Sequence, residues 1–366
     1  MPSKEITADA IVIGAGFVGV RAAIELRGSG YSKVIVLEKE SLPFSRASTY
    51  NQFRVHRGYH YPRSLETARQ SALSYQKFIE EYEPAIIKGT NSYYAVAGDS
   101  KVNAKAFTKH CAEVGIPLVD ATRSQKDHFN LEMIEAVFEV EESFFNPNVV
   151  GTILAEEAAQ LGIEIICNTK VLEVIDHPDY LTVNADNLKA SADVVVNASY
   201  AGINHIGGYV PSFSNEIKYQ VAEITHVKAA PNYKNQAFTI VDGPYVSLTP
   251  RYNTKYHNLS HVTLTPREEL FDTGAGEALE IGRYHSRAKD MIREATKYMP
   301  DLGTAHPTGS HYEVKAILTE NSSDDGRPMT IKNLDNRSFS ILGGKIDVIS
   351  TGLSLLSDQL RDGGRL

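Results

Sequence analysis

AIVIGAGFVGVRAAIEL, residues 10–26, runs from a short apolar segment through three glycines into a segment of helix-forming residues. Gly14 permits a tight turn, Gly16 lets the backbone approach a pyrophosphate, and Gly19 lets the helix pack closely against the strand. The N-terminus of such a helix also attracts phosphate groups. The stretch therefore predicts a strand, a glycine turn and a helix that together bind a dinucleotide.

A second apolar run, residues 34–37, ends in Glu38 about 20 residues after the last glycine of the turn. A carboxylate at this place can accept hydrogen bonds from the ribose hydroxyls of a dinucleotide. The alternative is an ordinary glycine turn in an α/β core. The two flanking strands, the helix and the acid together favour the dinucleotide site.

Length and composition limit the classes of function. The chain has 366 residues, enough for two domains, and its net charge of −8 argues against a general nucleic-acid binder. Cys111 and Cys167 cannot form a disulfide framework, and no cysteine–histidine cluster in the sequence predicts a metal site. The sequence has no run of 18 apolar residues, so we expect no integral membrane segment and a cytoplasmic protein.

The predicted dinucleotide-binding strands lie at both ends and in the middle of the sequence. We expect an FAD-binding domain of residues 1–85, 146–211 and 311–366, and a substrate domain of residues 86–145 and 212–310. An NAD-dependent dehydrogenase more often keeps its nucleotide-binding half contiguous. The split organisation therefore favours FAD.

Two other segments carry structural expectations. Residues 41–64 form a polar and aromatic connection that is long for a compact domain, and such loops are often functional. Apolar spacing predicts a long helix over residues 277–298, ended by Met299-Pro300.

Three separated segments resemble the FAD-dependent D-amino-acid oxidase superfamily. They are the glycine turn with Glu38, the strand that leads into Asn197-Ala198, and Gly343-Gly344-Lys345 ahead of a terminal helix. Residues 55–61, VHRGYHY, look most like the His-x-Gly-x-Tyr-Tyr loop of the L-2-hydroxyglutarate dehydrogenase branch, with His60 where that branch usually has tyrosine. The glycine oxidase-like branch is the other near resemblance. The resemblance to the superfamily implies an α/β fold in which a Rossmann-type, glutathione-reductase-like FAD-binding domain is interleaved with a sheet-rich α+β substrate domain.

The resemblance also implies a set of FAD contacts. The glycine turn would hold the pyrophosphate, Glu38 the adenosine ribose and Val171 the adenine, while the C-terminal glycines would approach the flavin. The implied cofactor-binding residues are Gly14, Gly16, Phe17, Val18, Gly19, Glu38, Lys39, Ser48, Val171, Ala198, Gly343, Gly344 and Lys345.

His56 and His60 are the best candidates for a catalytic base, because histidine titrates near neutral pH. The alternative is that His56 packs against the flavin or forms hydrogen bonds within its loop. Covalent attachment of FAD to one of the two histidines is a further alternative, since some members of the superfamily use histidine in this way.

Gly326-Arg327-Pro328 is similar to a glycine oxidase motif whose arginine lies near the substrate carboxylate. A planar guanidinium suits bidentate recognition of a carboxylate, so Arg327 is a predicted catalytic and substrate-binding residue. The alternative is a structural salt bridge with a neighbouring aspartate. The other predicted substrate contacts are Tyr61, Arg63, Tyr245 and Arg251.

The resemblance implies an FAD-dependent oxidoreductase that moves a hydride from a C–H bond beside an amine or hydroxyl to the flavin. The substrate would be small, polar and anionic, and the electron acceptor would be oxygen, a quinone or a redox protein. The main alternative is a redox-neutral flavoenzyme that acts on a sugar or nucleotide-sugar. A non-catalytic flavin-binding partner and an enzyme that uses only NAD are the remaining alternatives.

Overall fold

The computed structural model describes residues 4–252, 254–271, 284–320, 329–343, 345–347 and 349–362. The predicted substrate ligand Arg327 and the predicted flavin contact Gly344 lie outside these residues. Over the described ranges the chain forms three larger sheets and one two-stranded ladder, with helices packed on their faces.

The first sheet, called the dinucleotide sheet below, contains six strands and carries the glycine turn. Its strands run parallel except for one antiparallel pair at the C-terminal edge. The buried strands are nearly continuous apolar runs because both faces of the sheet are covered. In order across the sheet the strands are Thr330–Leu334, Ser338–Leu342, Val194–Asn197, Ala10–Ile13, Val34–Leu37 and Glu164–Ile166.

The two faces of the dinucleotide sheet belong to different apolar cores. Val12 and Val36 pack on the side of helices Phe17–Gly28 and Pro147–Gln160. Ile11, one position earlier, packs toward a five-stranded sheet on the other side, as the two-residue period of a strand requires. The strands of that sheet are Lys4–Thr7, Leu188–Ala192, Leu181–Ala185, Val171–Asp176 and Gly207–Gly208.

The nine-stranded sheet, called the large sheet below, forms the other half of the molecule. Its longest pairing joins Ile217–Lys228 to His306–Leu318 in antiparallel register. The remaining strands are Pro266–Phe271, His257–His261, Val246–Pro250, Gln236–Val241, Asn91–Ala97, Ile134–Val140 and Leu118–Asp120. A separate ladder pairs Arg54–Val55 with Ser143–Phe144.

The domain boundaries named above stay a prediction. Strand His306–Leu318 lies in the large sheet, whereas the predicted boundary at residue 311 cuts through this strand. We therefore propose that the third FAD-binding segment begins after residue 318. No helix among the described residues combines the length and apolarity needed to cross a bilayer.

Eight α-helices are described, and one of them differs from the sequence-based expectation. They are Phe17–Gly28, Leu65–Glu81, Ala104–Val114, Arg123–Lys126, Pro147–Gln160, Ala288–Tyr298, Ile349–Gly352 and Ser354–Asp362. The prediction of a helix over 277–298 is wrong at its start, because residues 284–287 are not helical and 277–283 lie outside the described residues. The backbone N–H of Arg287 and the hydroxyl of Ser286 both donate to the buried Glu223 carboxylate. That binding holds the segment against the large sheet, and the helix begins directly after it.

Candidate active site

A cavity of about 920 Å³ lies between the dinucleotide sheet and the large sheet. One end is lined by Gly14 and Glu38, and the other by His56, Arg63 and Asp242. Eight cationic side chains and three carboxylates line it among the described residues, although the chain as a whole carries a net charge of −8. The cavity is therefore a cationic site in an acidic protein, which suits anionic ligands.

The glycine turn has no room for side chains at two of its three glycines. Gly14 has a φ of 101°, and a Cβ atom built there would lie 2.9 Å from the carbonyl oxygen of Ala198. A Cβ atom at Gly19 would overlap the carbonyl oxygen of Gly14. The turn is consequently compact enough for a ligand to approach its backbone.

The first turn of helix Phe17–Gly28 is open to an anion. Its N-terminal residue Gly16 offers no side-chain cap, and the first turn contains no acidic residue. The N–H of Phe17 donates to the Ser48 hydroxyl at 3.1 Å, so the loop after strand Val34–Leu37 contacts this helix end at one point. Gly16, Phe17, Val18 and Ser48 all line the cavity. Partial positive charge at a helix N-terminus favours phosphate in such a position.

Glu38 lies at the end of its strand, with its carboxylate turned to the glycine turn. One oxygen accepts from the N–H of Ala15 at 2.7 Å and the other from the N–H of Glu40 at 2.9 Å. Carboxylate oxygens each have more than one acceptor site, so a ribose hydroxyl can share them. Lys39 and Val171 line the same end of the cavity.

The loop after strand Val194–Asn197 is organised by a buried asparagine. The Asn197 side chain donates to the carbonyl of Ile203 at 2.8 Å and accepts from the Ser199 hydroxyl at 2.6 Å. These bonds close a short 3-10 turn, Tyr200–Gly202, which holds Tyr200 at a φ of 53°. Ala198 and this turn line the cavity.

The C-terminal glycine segment runs from the helix of the glycine turn toward the opposite end of the cavity. A Cβ atom at Gly343 would lie 2.9 Å from the Val18 side chain, so this glycine fits closely against the first turn of the helix. The Lys345 ammonium lies 3.1 Å from the centre of the Tyr61 ring. Lys345 and Tyr61 both line the cavity beside His60.

A buried polar cluster of Arg54, His56, His60, Tyr94 and Glu142 lies at this end of the cavity. The Arg54 guanidinium donates to the Tyr94 hydroxyl at 2.9 Å and lies 3.3 Å from the Glu142 carboxylate. Tyr94 donates to the same carboxylate at 2.9 Å, and His56 Nδ1 lies 3.3 Å from its other oxygen. The rings of His56 and His60 are 5.0 Å apart.

Burial and a carboxylate partner separate the two histidines as candidate bases. Burial lowers the pKa of His60 well below its ordinary value, and the positive charge of Arg54 adds to the effect. His60 therefore stays neutral at neutral pH and is a poor proton acceptor. Burial also raises the pKa of Glu142, but the adjacent Arg54 guanidinium opposes that rise. His56 is the histidine that has a carboxylate partner.

The predicted substrate residues are only partly brought together. Tyr61, Arg63 and Tyr245 line the cavity. Arg63 donates to Asp242 at 2.7 Å, whereas the Tyr245 hydroxyl donates away to Asp99 at 2.6 Å. Arg251 is not among the lining residues and lies 2.6 Å from the His226 ring instead.

Arg54, Tyr94 and Glu142 were not predicted as site residues from the sequence. They come from three separate segments, and the ladder that joins two of these segments has only two residues in each strand. Such short strands have no period to detect. An arginine in the apolar and aromatic context of FRVH, residues 53–56, is the one signal in the sequence that could have drawn attention to this site.

Comparison with known proteins gives a consistent result. The sequence profile described as "DAO: FAD dependent oxidoreductase" matches residues 9–332. A curated relative, the FAD-dependent monooxygenase FPY4 of Fusarium mangiferae, is 25% identical over 95% of this chain and 91% of its own.

Two solved structures are similar in fold. L-proline dehydrogenase from P. horikoshii has a TM-score of 0.74 at 16% identity, over 98% of this chain and 95% of its own. Glycine oxidase from Geobacillus kaustophilus has a TM-score of 0.71 at 15% identity, over 98% and 94%. These likenesses extend over both the dinucleotide sheet and the large sheet.

Proposed function

Because the chain belongs to the DAO family of FAD-dependent oxidoreductases, we propose that it oxidises a small anionic substrate at a C–H bond beside an amine or hydroxyl. The observation that carries the proposal is the single cavity that joins the glycine turn to the buried polar cluster. Bound FAD would supply the hydride acceptor. The protein would supply orientation, charge and a proton acceptor.

The residues present fit FAD on two observations. The glycine turn leaves no space for a Cβ at Gly14 or Gly19, and the adjoining helix has no acidic residue in its first turn and no capping side chain on its N-terminal residue Gly16. We propose that the pyrophosphate binds there and the adenosine at Glu38 and Val171. The flavin would then lie toward Gly343 and Lys345, beside the buried polar cluster.

We propose that His56 accepts the proton that leaves the substrate amine or hydroxyl. It lines the cavity and its Nδ1 faces the Glu142 carboxylate at 3.3 Å. Lys345 and Arg63 would attract the anionic group of the substrate. The Nε and Nη2 atoms of Arg54 have no hydrogen-bond partner among the described residues, so this guanidinium keeps two donors beyond its pairing with Glu142.

The test is anaerobic titration of the FAD-loaded protein with L-proline, glycine, D-alanine and L-lactate, followed by flavin absorbance. The two solved relatives named for proline and glycine make these amino acids the first probes. We expect at least one of the acids to bleach the flavin, and its neutral alcohol analogue, such as L-prolinol for L-proline, to bleach it far less. Equal bleaching by the acid and the alcohol would contradict an anionic substrate. Oxygen uptake after bleaching then tests oxygen as the acceptor, which the monooxygenase name of the relative makes the first choice.

One observation favours the second candidate, a redox-neutral flavoenzyme on a sugar. Hydroxyl and amide side chains from the large sheet and its loops line the cavity, and such groups suit the hydroxyls of a sugar. They are Gln220, Ser247, Ser260, Thr263 and Thr265, together with Gln52 from the long loop. An enzyme of this kind would need reduced FAD before it turns over and would show no bleaching with any acid probe.

A further inference from the structure

His56 and Glu142 face each other because of backbone register. In the two-stranded ladder, Arg54 is opposite Phe144 and Val55 is opposite Ser143, in antiparallel orientation. The next position of that register sets His56 opposite Glu142, and side chains directly opposite each other in such a pair lie within contact distance. The position of Glu142 against the imidazole is thus fixed by the main chain.

The Glu142 carboxylate is held on its other side as well. One of its oxygens faces His56, and the other accepts from Tyr94 at 2.9 Å with Arg54 at 3.3 Å. The carboxylate group is about 1% exposed, and Arg54 about 2%. Tyr94 and Arg54 are both donors to the second oxygen, which favours the charged carboxylate although burial raises its pKa. The carboxylate cannot rotate away without leaving both partners unsatisfied.

Neutral imidazole carries its proton on one of its two ring nitrogens. A hydrogen-bond acceptor beside one nitrogen favours the form with the proton on that nitrogen. A charged carboxylate 3.3 Å from Nδ1 favours the form with the proton on Nδ1. Nε2 is then the nitrogen that takes up a further proton, and the imidazolium so formed is stabilised by the nearby negative charge.

We infer that Glu142 is a positioning residue that fixes His56 in its Nδ1-protonated form, so that Nε2 acts as the proton acceptor. Glu142 belongs to the segment that follows strand Ile134–Val140 of the large sheet, whereas His56 belongs to the long loop beside the dinucleotide sheet. Any contribution of Glu142 to catalysis rests on the proposed function, in which His56 is the base.

A purely structural role is the competing explanation, in which Glu142 only neutralises Arg54. The neighbouring Glu141 offers a matched control, because it pairs with Arg57 on the surface, where its carboxylate is about 60% exposed. The charged and titratable groups that act on the two histidines are Arg54, His60, Tyr61, Tyr94, Glu142, Lys345 and, through Glu142, Asp347.

The test is ¹⁵N nuclear magnetic resonance of the FAD-loaded protein labelled at histidine, which reports the protonated nitrogen of each ring without any substrate. A His56→Asn variant assigns the signal. We expect His56 to be protonated on Nδ1 in the native protein. In Glu142→Gln we expect the ratio of the two neutral forms to change by about tenfold, which corresponds to about 1.4 kcal/mol, and the pKa of His56 to fall because a negative charge is lost. Glu141→Gln should change neither.

Native His56 protonated on Nε2, or a Glu142→Gln spectrum identical to the native one, would overturn the inference. If Glu142→Gln does not fold, Glu142→Asp replaces it, since the side chain that is one methylene shorter draws the carboxylate away from Nδ1 and keeps the negative charge near Arg54; an unchanged His56 signal in that variant would count against the inference. These outcomes are independent of the bleaching experiment. If none of the acids bleaches the flavin but His56 is protonated on Nδ1, the proposed function is wrong. The inferred role of Glu142 toward His56 then still stands.

Discussion

The two ends of the cavity are built in opposite ways. The glycine end is made of backbone from residues 10–38, in one contiguous strand–turn–helix–strand unit. The buried polar cluster at the other end is made of side chains from three segments that are far apart in sequence. Binding of a common cofactor rests mainly on main-chain shape with one carboxylate, Glu38, whereas proton transfer needs particular side chains at fixed distances.

The largest expected effect tests the glycine end. Gly19→Ala places a Cβ against the Gly14 carbonyl, and overpacking of this size should weaken FAD binding by about 100-fold. The measurement is FAD bound per chain after gel filtration, with circular dichroism to follow folding. Gly28→Ala, in the same helix, adds a Cβ with no heavy atom within 4 Å and should bind FAD normally. Full FAD occupancy in Gly19→Ala would contradict the claim that FAD binding depends on the close backbone packing of the glycine turn.

The second effect tests the buried polar cluster. Arg54→Met removes the cation from beside the buried Glu142 and should lower the free energy of unfolding by about 3–5 kcal/mol. Denaturant titration measures the loss. Arg57→Met, whose ion pair with Glu141 is far more exposed, should lose about 1 kcal/mol or less. Similar losses in the two variants would mean that the cluster is no more than a surface ion pair.

The third effect tests whether the cluster end attracts anions. Lys345→Met should weaken the binding of acetate, followed through the flavin absorbance, by about 10-fold, because a charged hydrogen-bond donor is lost. Lys88→Met, at a surface position about 78% exposed, serves as the control. Unchanged acetate affinity in Lys345→Met would mean that the anion binds elsewhere in the cavity and not at Lys345.

The smallest expected effect concerns His226, which lies beside Arg251 outside the buried polar cluster. Burial and the nearby Arg251 lower the pKa of His226 to about 4. The unfolded chain binds a proton at this histidine below about pH 6.5, whereas the folded chain does not until about pH 4. The free energy of unfolding should therefore fall as pH drops from 6.5 to 4, by about 1 kcal/mol for this partly exposed group.

His226→Gln should remove that part of the pH dependence, and His306→Gln, at an exposed position of the large sheet, should not. Denaturant titrations at a series of pH values make the measurement. A pH dependence that is unchanged in His226→Gln would mean that burial and Arg251 do not lower the pKa of this histidine in the folded protein.

The contrast also explains what the sequence could predict. The strand–turn–helix unit was predictable because its signals are local: glycine spacing, apolar runs and one acid. The family resemblance supplied the FAD cofactor and the interleaved fold. Glu142 could not be found in this way, because its role depends on a two-residue ladder that brings it against His56. The start of the helix at Ala288 was missed for a similar reason, since Glu223 binds the preceding residues from another strand.

The most direct test of the account is calorimetric titration of the FAD-free protein with FAD, ADP and riboflavin. We expect one FAD per chain, weaker binding of ADP and of riboflavin, and simultaneous binding of the two fragments, because each would occupy one end of the same cavity. FAD should displace both. Binding of ADP with no binding of riboflavin, or riboflavin that FAD fails to displace, would contradict a single cavity that holds the dinucleotide at the glycine turn and the flavin beside His56.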